Sequence, residues 1–128
     1  MLDHIGLKVT DIKRSKAFYD QALEPLGVSV IMDVSAAETG STPYLGYGEG
    51  FKPYFWINEQ PRATELLHVA FAADSRAKVD AFYKAAIAAG GKDNGPPGLR
   101  PLYHPAYYGA FVLDPDGHNI EAVCHAAE

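Results

Sequence analysis

A chain that repeats itself must fold as two copies of one unit, and residues 64 positions apart coincide along this one. The identical pairs are Leu2/Leu66, His4/His68, Ala17/Ala81, Phe18/Phe82, Tyr19/Tyr83, Ala22/Ala86 and Gly27/Gly91. These seven matches fall within the first 27 positions, where ordinary composition gives about two by chance. They mark an internal repeat.

Each copy opens with a run that alternates. Ile5, Leu7 and Val9 share one face, with His4, Gly6 and Lys8 on the other; Leu67, Val69 and Phe71 repeat the pattern against His68, Ala70 and Ala72. Such period-two runs are half-buried strands. Thr10-Asp11 then offers an N-cap to a helix carrying Phe18, Tyr19, Ala22, Leu23 and Leu26 at helical spacing, with Pro25 and Gly27 as stops. In the second copy Asp74-Ser75 precedes a stripe of Val79, Phe82, Tyr83, Ala86 and Ile87, ending at Gly90-Gly91. Short β-prone runs follow the first helix at 28–34, 44–47 and 54–57. The unit reads strand, helix, three strands.

We therefore expect an α+β fold: two paired βαβββ modules, about 1–60 and 66–125, forming a cupped mixed sheet with helices on its convex face. A half of 64 residues buries too little surface to be comfortable alone, so one domain spanning 1–128 is expected. The Pro/Gly-rich stretch 93–105 breaks the second module and reads as a loop over the open face.

The last strands form a hairpin. Asp114-Pro115-Asp116-Gly117 has Pro at the second turn position and Gly at the fourth, as a type I turn prefers. Beyond it Ile120, Ala122 and Cys124 share one face, with Asn119, Glu121 and Val123 on the other. A carboxylate in mid-strand is costly to bury unless it is paired or coordinated. Glu121 therefore needs a partner. If helices cover the apolar faces, His4 and His68 lie on the opposite, concave faces with Glu121, and Gly6 and Ala70 make room beside them. Two imidazoles and a carboxylate form a divalent-metal triad with open positions.

Composition excludes several other functions. A formal net charge of -5 leaves no basic excess for nucleic acid. One cysteine makes neither an intrachain disulfide nor a cysteine metal cluster. No run approaches the ~18 apolar residues of a membrane span, and Asp3, His4 and Lys8 interrupt any leader, so a cytoplasmic location is expected.

The motifs Asp3-His4-Ile5-Gly6-Leu7-Lys8-Val9, Arg14-Ser15-x-x-Phe18-Tyr19, His68-Val69-Ala70-Phe71 and Phe111-Val112-Leu113-Asp114-Pro115-Asp116-Gly117-x-x-Ile120-Glu121 resemble the vicinal oxygen chelate superfamily. Glyoxalase I, extradiol dioxygenases, fosfomycin-resistance transferases and bleomycin-resistance proteins belong to that group. The resemblance implies one divalent ion (Fe, Mn, Ni or Zn) on His4, His68 and Glu121, a small substrate chelated through vicinal oxygens, and a homodimer. Glyoxalase I adds a fourth, acidic ligand on the last strand of its first module. The offset of 64 puts that position at Ile57, and no acid stands there. Three-ligand chemistry of the dioxygenase, lyase or transferase type is favoured; the alternative is a metal-free drug-binding protein of the bleomycin-resistance kind. For proton transfer the candidates are Tyr103 and His104, with Tyr107 and Tyr108 nearby in sequence. Trp56, Phe55, Arg100 and Tyr108 are candidate substrate contacts, Lys52 a weaker one for an anion. His118 is expected to be exposed in its turn.

Overall fold

The computed structural model describes residues 1–62 and 65–128. Module one comprises β1 (Ile5–Val9), α1 (Ile12–Ala22), a 3-10 turn (Glu24–Leu26), β2 (Ser29–Val34), the short α2 (Ala36–Thr39), β3 (Tyr44–Glu49) and β4 (Lys52–Glu59). Module two comprises β5 (His68–Ala72), α3 (Arg76–Ala88), β6 (Lys92–Leu99), β7 (Tyr108–Leu113) and β8 (Asn119–Cys124). Each forms a four-stranded mixed sheet, ordered β1-β4-β3-β2 and β5-β8-β7-β6. The opening strand runs parallel to the closing one in both; the other pairings are antiparallel. The expected pair of βαβββ modules is present.

Local chemistry explains the elements. Leu7 and Val9 are buried while Gly6 and Lys8 are exposed, as alternation demands. The Asp11 carboxylate accepts the backbone N–H groups of Lys13 and Arg14, and Ser75 accepts that of Lys78, so both helices start on side-chain caps. Glu59 accepts the N–H of Ile12, adding negative charge where the α1 dipole favours it. Phe18, Tyr19 and Ala22 of α1, with Val79, Phe82 and Ala86 of α3, enter one continuous core. The rings of Phe55 and Phe71 meet edge-on at 5.2 Å across the two modules.

The two glycines matched by the repeat are needed for different reasons. Gly27 closes the first helical segment in the left-handed region at φ 77°. Gly91 has no room for a side chain: a Cβ there would lie 2.4 Å from Val112 Cγ1 and 2.7 Å from Phe18 Cε1. Gly91 therefore sets how closely α1 approaches module two. Gly91→Ala is expected to cost about 1–3 kcal/mol through overpacking. Urea unfolding checks this, and an unchanged midpoint would show that the contact is soft.

Polar groups on the closing turn tie the modules together. Tyr19 donates from its hydroxyl to Asp114 Oδ2 at 2.5 Å, across 95 residues of sequence. Asp116 accepts from Thr10 through both its N–H and its hydroxyl. His118 is fully buried, contrary to the expectation of an exposed turn residue. Its Nδ1 accepts the N–H of Leu67 at 3.0 Å, and Nε2 lies 2.8 Å from the carbonyl of Lys8. That pair of partners selects the neutral tautomer with hydrogen on Nε2.

The stretch expected to be a loop is partly a strand. Lys92–Leu99 pairs with β7 at the sheet edge, with breaks in register between Asp93 and Gly95 and between Gly95 and Gly98. An edge strand tolerates Pro96 and Pro97 because one of its sides needs no donors. The turn proper begins at Arg100, whose N–H bonds the carbonyl of Tyr107 at 2.7 Å.

Candidate functional site

Glu121 stands on β8 between Ala70 of β5 and Phe111 of β7, and is 1% exposed. Burying this carboxylate demands partners, and two groups meet it. His68 Nε2 lies 2.8 Å from Oε1. The Tyr107 hydroxyl donates to Oε2. Burial, and then the bond to Glu121, push the Tyr107 phenol up to about 12, so it remains a donor at neutral pH. Gly109 makes this possible: a Cβ there would sit 3.1 Å from the Tyr107 ring and 3.4 Å from Glu121 Oε2.

Above this floor is an open cleft of about 340 Å³ lined by His68, Tyr103, Tyr107, Phe111 and Glu121. Tyr103 packs edge-on against Tyr107 at 5.1 Å, and the Arg100 guanidinium lies 5.6 Å from the Phe111 ring centre. Imidazole and carboxylate at the bottom, with aromatic walls above, suit a small molecule that is polar at one end.

The other expected residues fall in different places. His4 precedes β1, with Nδ1 2.7 Å from Asp3 Oδ1, and it faces a separate cavity of about 380 Å³ bordered by Ile5, Tyr54, Val69 and Phe71. Among the described residues no group of three or more His, Cys, Asp or Glu side chains gathers to hold a metal. Within one chain the structure thus brings His68 and Glu121 together and leaves His4 apart. Phe55 is fully buried on the helix-facing side of β4, packed 5.1 Å from Tyr19, and it borders the cavity near His4 rather than the cleft over Glu121. Trp56 takes the opposite, open face and lies over Gly46, where a Cβ would come within 2.9 Å of the indole.

Tyr108 also turns away from the cleft. Its hydroxyl donates to Asp80 at 2.6 Å and Arg76 lies 5.2 Å over its ring, both on the α3 side. Strand parity explains this, because Tyr107, Gly109 and Phe111 share the face of Glu121, and Tyr108, Ala110 and Val112 share the other. That parity was the available signal for Tyr107. Tyr103 stands at the rim of the cleft. His104 lies outside its lining, with Nδ1 accepting the N–H of Ala106 at 3.0 Å. Lys52 is paired with Asp3.

The position matched to Glu121 also needs correction. Gly6 pairs with Trp56 as Ala70 pairs with Glu121. Module two is one residue longer between these points, so the counterpart is Trp56, while Ile57 is buried in the core. No acid occupies that position in either register.

Two such βαβββ modules with a histidine and a glutamate on one open face define a class, and the comparisons name it. The family model described as "Glyoxalase/Bleomycin resistance protein/Dioxygenase superfamily" matches residues 1–122. The chain belongs to this superfamily. It is similar to a glyoxalase/bleomycin resistance protein from Albidiferax ferrireducens T118, with 31% identity over 97% of this chain and 98% of that one, at a TM-score of 0.75. Glyoxalase I from Zea mays shares the fold at TM-score 0.74 and 20% identity; it matches 99% of this chain, which spans 45% of the maize protein. A mutant of the fosfomycin resistance protein FosX from Listeria monocytogenes, complexed with Mn(II) and 1S,2S-dihydroxypropylphosphonic acid, matches at TM-score 0.68 and 20% identity, covering 96% of this chain and 88% of that one. Comparison with curated proteins gave no match. Among the described residues no helix is long and apolar enough to cross a membrane.

Proposed function

We propose that this protein is a divalent-metal-dependent enzyme acting on a small molecule that presents two adjacent oxygens. The observation that carries this reading is the buried Glu121 carboxylate, facing His68 Nε2 at 2.8 Å on the floor of an open cleft. A carboxylate and an imidazole suit Mn, Fe, Ni or Zn. They fit the group as part of a site that needs at least one more donor. His4 holds the matching place in module one, so we assign it, from a second copy of the chain, as the third ligand in a homodimer. Met32, 45% exposed, and Tyr44, 37% exposed, lie with Trp56 on the open face of the first sheet, which supports pairing there.

When bound, the ion supplies Lewis-acid stabilisation of an anion on the chelated oxygens. The chain's own residues do the rest. Tyr107 holds Glu121 in place through Oε2, Phe111 and Tyr103 wall the open cleft, and Arg100 adds positive charge beside Phe111. With Trp56 where a fourth acid would stand, the reading favours oxygenase or addition chemistry over an isomerisation that needs that acid.

Metal titration of chelator-treated protein tests the proposal. The wild type is expected to take up about one equivalent per chain. Glu121→Gln is expected to weaken uptake by more than about 100-fold, beyond what loss of an outer-shell partner costs. Equal binding by both proteins, or none by the wild type, would remove the metal assignment. In the latter case the aromatic walls favour a metal-free binding protein instead.

A further inference from the structure

His4 and His68 occupy the same place in the repeat, but different residues precede them. Leu67 stands before His68, and its backbone N–H goes to His118. Asp3 stands before His4, and its carboxylate divides between two partners: Oδ1 meets His4 Nδ1 at 2.7 Å, and Oδ2 accepts from Lys52 Nζ. Asp3 thus meets Lys52 of β4 on one side and the His4 imidazole on the other, all three at the surface.

We infer that Asp3 is a positioning residue for a metal ligand: by taking the Nδ1 hydrogen of His4, it leaves Nε2 unprotonated and presents that nitrogen to the ion. The inference rests on the metal reading above and adds to it the orientation of one ligand. A neutral imidazole carries one hydrogen, and the nitrogen that donates it cannot also bind a metal. In His68 it is Nε2 that donates to Glu121, since a carboxylate only accepts, so that nitrogen would have to give up its hydrogen before it could bind an ion. His4 is therefore the histidine whose free nitrogen is set in advance, by its neighbour in sequence and Lys52. Lys52 is the anchor of that arrangement.

The test compares Asp3→Asn, Asp3→Glu and Glu121→Gln with the wild type. Long-range proton–nitrogen NMR of metal-free protein reads the His4 tautomer directly. The wild type is expected to carry hydrogen on Nδ1, and Asp3→Asn to lose that preference. Metal affinity of Asp3→Asn is expected to fall about 10–100-fold, with Asp3→Glu recovering part of it and thermal unfolding unchanged in both. If Glu121→Gln abolishes binding while Asp3→Asn keeps full affinity, the positioning role is wrong and the metal site stands. A wild-type His4 with hydrogen on Nε2 overturns the inference regardless of affinity.

Discussion

Asp114→Ala is expected to destabilise the protein by about 3–5 kcal/mol, while Glu121→Leu leaves the metal-free protein as stable as before or more so. Both carboxylates are buried on one hairpin, at 4% and 1% exposure, and their surroundings decide the difference. Asp114 is fully used. Oδ2 accepts the Tyr19 hydroxyl, and Oδ1 accepts the N–H groups of Asp116 and His118 at 2.9 and 2.8 Å. Removing it strands a phenol in the core and two amide donors in a turn, each orphan costing about 1–3 kcal/mol. It also cuts the link between α1 and module two, on which His118 and the Lys8 carbonyl depend in turn.

Glu121 has the opposite character. Its two partners are at the cleft, where His68 is 54% exposed and can turn to water once the carboxylate is gone. A leucine would convert a desolvated charge into apolar contact, and natural proteins keep such costly groups where function requires them. Urea unfolding in the presence of chelator measures both variants. A loss at Glu121→Leu comparable to that at Asp114→Ala would make Glu121 a structural residue and take away the main support for the site.

The architecture was legible because burial imposes periods that survive in the sequence. Leu7 and Val9 against Gly6 and Lys8, or Ile120 and Ala122 against Glu121, need only the alternation of a strand, and that alternation correctly aimed Glu121 at the open face. His68 followed from the same parity through the repeat. What failed depended on lengths and on neighbours distant in sequence. One extra residue in module two moved the counterpart of Glu121 from Ile57 to Trp56, and no local pattern records such a shift. Pro96 and Pro97 read as a loop because the sequence does not say which strand lies at an edge. His118 looked exposed because its partners, Lys8 and Leu67, lie 110 and 51 residues away. Aromatic character alone does not give the face: parity puts Phe55 on the core side of β4 and Tyr108 on the α3 side, while Tyr107, one residue from Tyr108, faces Glu121.

The arrangement of His4 apart from His68 and Glu121 leads to the prediction with the largest effect. His4→Ala and His68→Ala are each expected to bind no metal, yet a mixture of the two, after subunit exchange, should recover it. If a site takes His4 from one chain and His68 with Glu121 from the other, a mixed dimer holds one complete site and one lacking both histidines. Random exchange makes half of the dimers mixed, so about a quarter of all sites return. A second mixture supplies the control: His68→Ala with Glu121→Gln should recover nothing, because those two ligands come from the same module of the same chain. Mass-tagged subunits establish that exchange has occurred, and metal content per chain gives the answer. Recovery in neither mixture after complete exchange would mean that the third ligand is not the partner's His4. Recovery in both would mean that His68 and Glu121, though 2.8 Å apart in one chain, serve different sites.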